Sequence, residues 1–174
     1  MMPNNIYSEI NLHGVNIERA APVILNAKGE VDFEVLLPLP INHWPGNVGS
    51  QHKEAFPGNH LADATAMWGT KWNAYGEPKL SAEDGCAVIT FQTAWSHPRG
   101  WVCALFNTLK CNISARWLDE GRTDAVAEEW LQDDPRAMGP SWRQEVIANG
   151  TAEHRELHKA LWGVECFEED AHHG

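Results

Sequence analysis

The segment Trp68-Gly-Thr-Lys-Trp-Asn-Ala-Tyr75 constrains the fold most, because large apolar side chains alternate in it with polar ones. In an extended strand, successive side chains point to opposite faces of a sheet. Trp68 and Trp72 would then share an apolar face and anchor a core, since buried aromatic rings dominate core packing. The opposite face would hold Lys71, Asn73 and Tyr75. Two interpretations of that second face stay open, the solvated side of a structural strand and a recognition surface.

The same alternation recurs along the chain. The stretch from Ile6 to Leu12 predicts a first strand, and the stretch from Val31 to Leu37 predicts a second. Asp84-Gly85 precedes an alternating run from Ala87 to Trp95, which predicts a hairpin. A last strand is predicted from Cys111 to Trp117.

Two helices are predicted between these strands. Asn16 can cap a helix from Ile17, although Pro22 predicts either a kink or a later start. Ser96 can cap a second helix, whose apolar stripe runs from Trp101 to Leu109. The order of elements predicts an α+β class, a ferredoxin-like sandwich in which an antiparallel sheet carries helices on one face.

A long loop is predicted from residue 41 to residue 66, and it contains His43, His52 and His60. Loops of this length are usually functional or poorly ordered. The three histidines lack helical spacing, and no cysteine or carboxylate cluster joins them. The pattern therefore does not predict a metal site.

The acidic residues are concentrated in the last third of the chain. Residues 119–174 hold 5 Lys and Arg against 14 Asp and Glu, whereas residues 1–118 hold 8 against 10. An acidic segment repels phosphate and favours a partner with a basic surface; the alternative is a solvated face that only aids solubility. The candidate acids are Asp119, Glu120, Asp124, Glu128, Glu129, Asp133 and Asp134.

The last part of the chain is predicted to form an extension of the main domain. Residues 123–131 fit either a short helix or a strand, and Ser141-Trp-Arg-Gln144 has the pattern of a capping box that opens a helix. Thr151 can cap a final helix that ends at Gly163. We expect residues 1–120 to form the main domain and residues 121–174 an acidic, mainly helical extension docked on it.

Four motifs resemble the YubB-type ferredoxin-like domain family, which is found mainly in phages, prophages and conjugative plasmids. They cover about residues 3–120 and are the strand ending at Gly14, Phe33-Glu-Val-Leu-Leu-Pro-Leu-Pro40, the Trp68 to Tyr75 segment, and Ile89-Thr-Phe-Gln-Thr-Ala-Trp-Ser96. The chain departs from the family after Glu120-Gly121, where a glycine-rich aromatic segment is usual. The resemblance implies a ferredoxin-like sandwich and a mobile-element origin, and it assigns no catalytic residues.

No catalytic motif is present in the sequence, which has no nucleophile elbow, Walker lysine or dinucleotide glycine pattern. His154 and His158 would share one helix face, but Arg155 occupies the position of the zinc-protease glutamate. This predicts an exposed histidine pair rather than a zinc site. No cofactor and no metal are therefore expected, and a hydrolase or metal-dependent enzyme is an alternative only through an unrecognised site.

Single-stranded nucleic acid is a further alternative ligand. Ferredoxin-like sheets can stack bases on exposed aromatic residues. Tyr7 and Tyr75 would supply the rings here, and Lys71, Lys79 and Arg116 would lie near phosphates. The net charge of −11 opposes this interpretation, because phosphate affinity comes largely from Lys and Arg contacts.

The resemblance implies a phage or plasmid setting, and together with the absence of a catalytic motif and the acidic last third it predicts a non-enzymatic accessory protein. It would bind a host protein with a basic surface and so counter host defence or DNA metabolism. The chain has no run of 18 apolar residues and no secretory n-region at its start. We therefore expect it in the cytoplasm of the host cell, with no membrane partner. The oligomeric state does not follow from these residues.

Overall fold

The structure is a computed structural model that describes residues 4–40, 43–44 and 58–163. In chain order the elements are β1 (Asn5–Leu12), α1 (Ile17–Ile24), α2 (Phe33–Leu36), β2 (His43–Trp44), β3 (Gly58–Asn59), α3 (His60–Trp68), β4 (Tyr75–Glu83), β5 (Cys86–Ala94), α4 (Arg99–Leu109), β6 (Ile113–Asp119), β7 (Ala125–Asp134), β8 (Gly139–Ile147) and α5 (Ala152–Trp162).

The main sheet has six strands in the order β4-β5-β1-β6-β7-β8, and every neighbouring pair is antiparallel. Ile10 of β1 lies between Ile89 of β5 and Ala115 of β6. β2 and β3 form a separate short parallel pair. The predicted α+β class is thus confirmed.

An aromatic cluster fills the core on one face of this sheet. The ring of Phe33 lies 4.5 Å from Trp101, 5.3 Å from Phe91 and 5.6 Å from Trp68, measured between centroids. All four side chains are fully buried. The predicted apolar stripe of α4 faces this core, because spacings of three and four residues put its apolar side chains on one side of a helix.

α5 packs against part of the opposite face of the sheet, over β1 and β6. Leu157 of α5 packs against Leu118, Ala125 and Ile147, with Tyr7 at the edge of this smaller cluster. Side chains alternate between faces along β1, so Tyr7 lies opposite the main core. α5 belongs to the predicted C-terminal extension, and it packs on this second face because that face also carries apolar side chains.

Several local predictions are confirmed. The hairpin between β4 and β5 turns at Asp84 and Gly85, which both have positive φ values, 48° and 79°. This is the backbone that two-residue hairpin loops favour. Thr151 caps α5 by accepting a hydrogen bond from the His154 amide, and Gly163 ends the helix in the left-handed region.

The predicted second strand from Val31 to Leu37 is wrong. Phe33–Leu36 form α2, a short helix that begins where the Asp32 carboxylate accepts a hydrogen bond from the Glu34 amide. Only Val31 retains a strand-like pairing, with Leu25. The acid before Phe33 acts as a helix cap, which an alternating pattern does not reveal.

The predicted strand from Trp68 to Tyr75 is also wrong. Trp68 ends α3 and is fully buried, and its indole donates a hydrogen bond to the Leu37 carbonyl oxygen. Gly69 follows with a φ of +87°, and a Cβ there would lie 3.1 Å from the Arg99 amide nitrogen. The segment is therefore a tight connection between α3 and β4, and Trp72 is 40% exposed instead of buried.

The last third of the chain has more strand than expected. Residues 125–134 form β7, so the strand interpretation of that region is confirmed over the helix. The helix predicted from Ser141 is wrong, because β8 occupies Gly139–Ile147 and pairs with β7. Ser96 does not cap α4 either, since its hydroxyl donates to the Gly69 carbonyl oxygen.

Much of the predicted loop at residues 41–66 lies outside the described residues, as do His52 and the histidines at 172 and 173. Its last part is helical, because α3 begins at His60. Within the described residues, no helix is long and apolar enough to cross a lipid bilayer.

Candidate functional site

Glu128 is the centre of a buried polar network at the middle of β7. Its side chain is fully enclosed, and its Oε1 accepts hydrogen bonds from Arg99 Nη2 at 2.6 Å and Nε at 3.2 Å. The indoles of Trp117 and Trp142 approach its two oxygens at 3.4 Å each. Glu128 was a candidate for the acidic surface, but the structure places it inside the molecule.

His97 extends this network toward β1. Its Nδ1 lies 2.9 Å from Ser8 Oγ and its Nε2 lies 3.8 Å from Glu128 Oε2, while its ring stacks on Trp117 at 5.6 Å. Burial lowers the pKa of His97 to about 4, although Glu128 opposes this shift and Arg99 adds to it. Burial alone would raise the pKa of Glu128, but His97 and the Arg99 hydrogen bonds outweigh it and hold the pKa below its ordinary range.

Ser8, His97 and Glu128 are three residue types that can form a nucleophile, a base and an orienting acid. Ser8 is fully buried and His97 is 6% exposed, so a substrate cannot reach the serine oxygen without opening the sheet. The distance of 3.8 Å from His97 to Glu128 also exceeds a hydrogen bond. The cluster therefore acts as a structural network that joins the start of α4 to four strands, β1, β6, β7 and β8.

Asp134 stabilises the β7–β8 hairpin by accepting hydrogen bonds from other residues of the same hairpin. The carboxylate is buried and accepts hydrogen bonds from the Ser141 hydroxyl at 2.6 Å, the Arg143 guanidinium at 2.7 Å and the Arg136 amide at 2.9 Å. The Ser141 bond is the largest of the effects that lower the pKa of Asp134 to about 2. This acid too contributes to the fold and not to an exposed surface.

Asp119 and Glu120 connect the end of β6 to the start of β1 through side-chain hydrogen bonds. Asn4 Nδ2 donates to Asp119 Oδ1 at 2.6 Å, and Asn5 Nδ2 donates to Glu120 Oε2 at 2.9 Å. Asp119 Oδ1 also accepts from the Gly121 amide at 2.8 Å. Both carboxylates are partly exposed but already engaged within the chain.

Three of the predicted acids do lie on the surface, namely Asp124, Glu129 and Asp133. Asp124 stands before β7, where it accepts a hydrogen bond from the Asn149 amide, and Asp133 lies near the other end of that strand. Glu145 of β8 is a fourth exposed acid on this hairpin. Glu129 pairs with Arg143 and Glu145 pairs with Ala127, so both acids project from the same face of adjacent strands.

β8 is the last strand of the sheet and presents two exposed apolar side chains. Trp142 is 42% exposed and Val146 is 68% exposed. The Arg99 guanidinium lies 4.7 Å from the centre of the Trp142 ring, while the indole nitrogen faces Glu128. The ring is thus held in place at the edge. We call β8 with Asp124, Glu129 and Asp133 the hairpin surface.

Of the three candidate side chains Lys71, Asn73 and Tyr75, Lys71 alone is exposed. Its Nζ lies 5.0 Å from the ring centre of Trp95, which is 39% exposed. Trp95 has a φ of +73°, an uncommon backbone conformation for a bulky residue. Its conformation is compatible with the hydrogen bond from its own amide to the Asn4 carbonyl oxygen.

Asn73 and Tyr75 face inward instead. The Asn73 side-chain oxygen accepts from the Phe33 amide at 2.9 Å, and its Nδ2 donates to Asp32 Oδ1 at 2.7 Å. The Tyr75 hydroxyl donates to Asn5 Oδ1 at 2.6 Å. Burial, with a smaller contribution from Glu120, raises the pKa of Tyr75 to about 12. The structure therefore does not join these two side chains to Lys71 in one exposed surface.

The groups proposed for nucleic acid are largely engaged. Arg116 pairs with Glu9 at 2.8 Å and with Glu156 of α5 at 2.9 Å. Tyr7 is half-buried beside the cluster under α5. A paired guanidinium is a poor phosphate ligand, so the geometry does not favour nucleic acid at this face.

His154 is buried, contrary to the predicted exposed pair, and is 3% exposed. Among the described residues neither of its ring nitrogens has a hydrogen-bond partner. It lines a cleft of about 260 Å³ together with His158 and Trp162 of α5. No three His, Cys, Asp or Glu side chains of the described residues are placed to hold a metal ion.

Sequence reasoning missed the importance of β8 and of Arg99. The alternation of Trp142, Gln144 and Val146 was the available signal for β8, but the capping-box pattern favoured a helix. Nothing in the local sequence pairs Arg99 with Glu128, which lies 29 positions away.

Comparisons with protein-family models, curated proteins and solved structures found no match.

Proposed function

We propose that the protein is a non-enzymatic binding module whose hairpin surface docks an extended, basic segment of another protein. The observation that carries this proposal is the exposure of Trp142 and Val146 on β8, the terminal strand of the sheet. Exposed apolar side chains along a strand edge are typical of sites that bind another chain.

The backbone of β8 supplies the first part of the interaction. Within the described residues, β8 pairs only with β7, so its outer row of amides and carbonyls has no strand neighbour. An extended peptide can add to such an edge through main-chain hydrogen bonds, while alternate side chains contact the surface. Trp142, held by Arg99 and Glu128, gives a fixed aromatic contact beside this edge.

The negative charge of the hairpin surface favours a partner with a basic segment. Asp124, Glu129, Asp133 and Glu145 are exposed on the hairpin, whereas Arg143 is bonded to the buried Asp134. Lys and Arg side chains on the partner would be attracted by this surface, and the attraction would raise the association rate. A second copy of this chain, with a net charge of −11, would bring acids against acids.

The strand order supports the finer fold assignment. If α2, β2, β3 and α3 are treated as an insertion between α1 and β4, the path is β1-α1-β4-β5-α4-β6 with spatial order β4-β5-β1-β6. A ferredoxin-like βαββαβ sandwich has this arrangement, which is extended here by β7, β8 and α5. The phage or plasmid setting of this proposal is supported only by the resemblance of the sequence to the YubB-type family. The partner would then be a host protein in defence or DNA metabolism.

The experiment is a quantitative affinity capture from host lysate, with and without nuclease treatment, with the full chain as bait. Val146→Asp and the double change Glu129→Lys with Glu145→Lys alter the hairpin surface. Glu83→Lys makes one of the same charge changes on β4, at the other edge of the sheet.

We expect a protein with a Lys- and Arg-rich segment to be retained by the native chain and by the Glu83 variant, and to be lost from both hairpin variants. Equal retention by all four baits would contradict docking at β8. Recovery that disappears on nuclease treatment would instead indicate nucleic acid.

A further inference from the structure

The side chains of β8 form two rows on opposite faces of the sheet, and the row on the core side contains Trp142, Gln144 and Val146. Trp142 pairs with Trp130 of β7 and Val146 pairs with Val126, so these side chains project from one face. Trp130 belongs to the main core, which identifies this face as the core side. A strand placed beside β8 would therefore present every second side chain to the exposed Trp142 and Val146.

The second row of β8 lies beside acidic residues. Ile147, which shares this face with Glu145, packs against α5, so the row lies on the side away from the core. Glu129 of β7 pairs with Arg143 and projects from the same face, and both Glu129 and Glu145 are exposed. The Arg143 guanidinium is bonded to Asp134 at 2.7 Å, which compensates its charge. The remaining side chains of an added strand would thus meet a negative surface, which attracts lysine and arginine.

The part of β8 that is regular enough for strand addition is Ser141–Ile147. Its pairing with β7 keeps one register over these residues and shifts only between Leu131 and Asp134 of β7. Pro140 precedes them and has no N–H to donate. β4, at the other edge of the sheet, has a register shift and Pro78 within it, two features that discourage strand addition. The regular edge of β8 therefore fits a segment of about seven residues.

A cavity of about 450 Å³ lies at the Val146 end of this edge. It is lined by Val126, Gln144 and Val146 of the core side and by residues 121–125 of the connection between β6 and β7. Its charged residues, Arg122 and Asp124, have opposite signs, so the cavity has no net charge that favours an ionic group. An apolar side chain that entered it would be removed from water against Val126 and Val146, which stabilises association.

We propose that the segment docked at β8 alternates apolar with basic residues. Its apolar side chains face Trp142 and Val146, one of them in the cavity, and its lysine or arginine side chains face Glu129 and Glu145. This inference rests on the proposed docking function and adds the pattern by which the partner is recognised. A segment with the same residues collected in blocks would place apolar side chains against the acids and lysines against the core side.

The test is a calorimetric titration of the full chain with synthetic heptapeptides that are blocked at both termini. One peptide alternates valine and lysine, and its matched control has the same residues in two blocks. We expect the alternating peptide to bind at least roughly tenfold more tightly than the block peptide. An alternating peptide with N-methylated backbone nitrogens should lose this binding, because it keeps the side chains but lacks the donors for main-chain pairing.

Reversing the charge of the acidic row should reverse the preference. The double change Glu129→Lys with Glu145→Lys should lose the valine–lysine peptide and bind an alternating valine–glutamate peptide instead, with its unfolding temperature as the check on folding. Glu83→Lys, on β4, should keep the native preference. This exchange of partner distinguishes recognition from a structural role of the two acids.

Equal binding of the alternating and block peptides would overturn the inference, and so would a folded double variant that still prefers lysine. Absence of binding by every peptide at about 1 mM would overturn it as well. These outcomes concern the pattern alone, since docking at β8 fails separately, when a host protein captured by the native chain is retained equally by Val146→Asp.

Discussion

Arg99 Nη2 donates a hydrogen bond of 2.6 Å to Glu128 Oε1, and this contact joins the first residue of α4 to the middle of β7. The same guanidinium lies 4.7 Å from the Trp142 ring on β8. Because Trp142 also directs its indole nitrogen at Glu128, one buried carboxylate positions the aromatic residue at the exposed edge. The network that stabilises the core therefore also shapes the proposed docking surface.

We expect Glu128→Gln to lower the free energy of unfolding by about 1–3 kcal/mol, because a neutral amide replaces the charged acceptor of Arg99. The loss should be smaller than for a fully buried ion pair, since the Arg99 side chain is 44% exposed and stays hydrated. Chemical denaturation at pH 7 measures the change.

Glu129→Gln is the matched control, since it makes the same chemical change one residue later at an exposed position. Its effect should be within about 0.5 kcal/mol. Similar stabilities for the two variants would contradict the internal role of Glu128.

Stability should fall as the pH is lowered from neutrality, in two stages. The pKa of His97 is about 4 in the folded chain and 6.5 ordinarily, so the unfolded chain binds the proton first. The contribution of neutral His97 to the free energy of unfolding is therefore fully present above pH 6.5. It is lost between pH 6.5 and about pH 4, a decrease of roughly 3 kcal/mol. Glu128 and Asp134, whose pKa values are lowered, extend the loss below pH 4, because they must be protonated as the chain unfolds.

His97→Gln tests the upper stage of this profile. The variant should lose the decline between pH 6.5 and 4 while keeping the decline below pH 4. His13→Gln, a change at an exposed histidine, should leave both stages in place. Denaturation midpoints measured at closely spaced pH values give the comparison, and an unchanged profile in the His97 variant would show that another group is responsible.

Asn73→Ala should destabilise the chain by about 1–3 kcal/mol, because the side chain bonds Phe33, Ala74 and Asp32. Lys71→Ala, two residues earlier, should cost no more than about 1 kcal/mol, since it removes only an exposed contact with Trp95. Thermal unfolding of both variants measures the difference. A larger effect at Lys71 than at Asn73 would reverse the roles assigned to them.

Gly100→Ala should destabilise the packing of α4 on α3 by about 1–3 kcal/mol or more, because an added Cβ would overlap the Met67 carbonyl oxygen. Gly139→Ala serves as the control, as a Cβ there meets no atom within 4 Å. Equal unfolding temperatures for the two variants would show that α3 and α4 can move apart with no loss of stability.

Elements with local determinants could be predicted from the sequence. β1 follows from its alternation, the hairpin from Asp84-Gly85, and α5 from the Thr151 cap and the Gly163 stop. Each depends on a few adjacent residues, whose conformational preferences agree with the final fold.

Elements decided by distant contacts were predicted less well. Ser141 to Gln144 satisfies the pattern of a helix start, but pairing with β7 makes it a strand. The acids of β7 look alike in sequence, yet Glu128 points to Arg99 and Glu129 points to solvent, because side chains alternate between the faces of a strand. A candidate surface built from charge alone therefore combined internal and exposed carboxylates.

The most direct measurement of docking at β8 is site-specific photo-crosslinking in host cells. Val146 is replaced by benzoylphenylalanine in one chain and Glu83, on the opposite edge, in another. We expect a discrete adduct from position 146, attached to a Lys- and Arg-rich segment of one host protein, and no such adduct from position 83. Adducts of equal yield from both positions, or none from position 146, would contradict docking at β8.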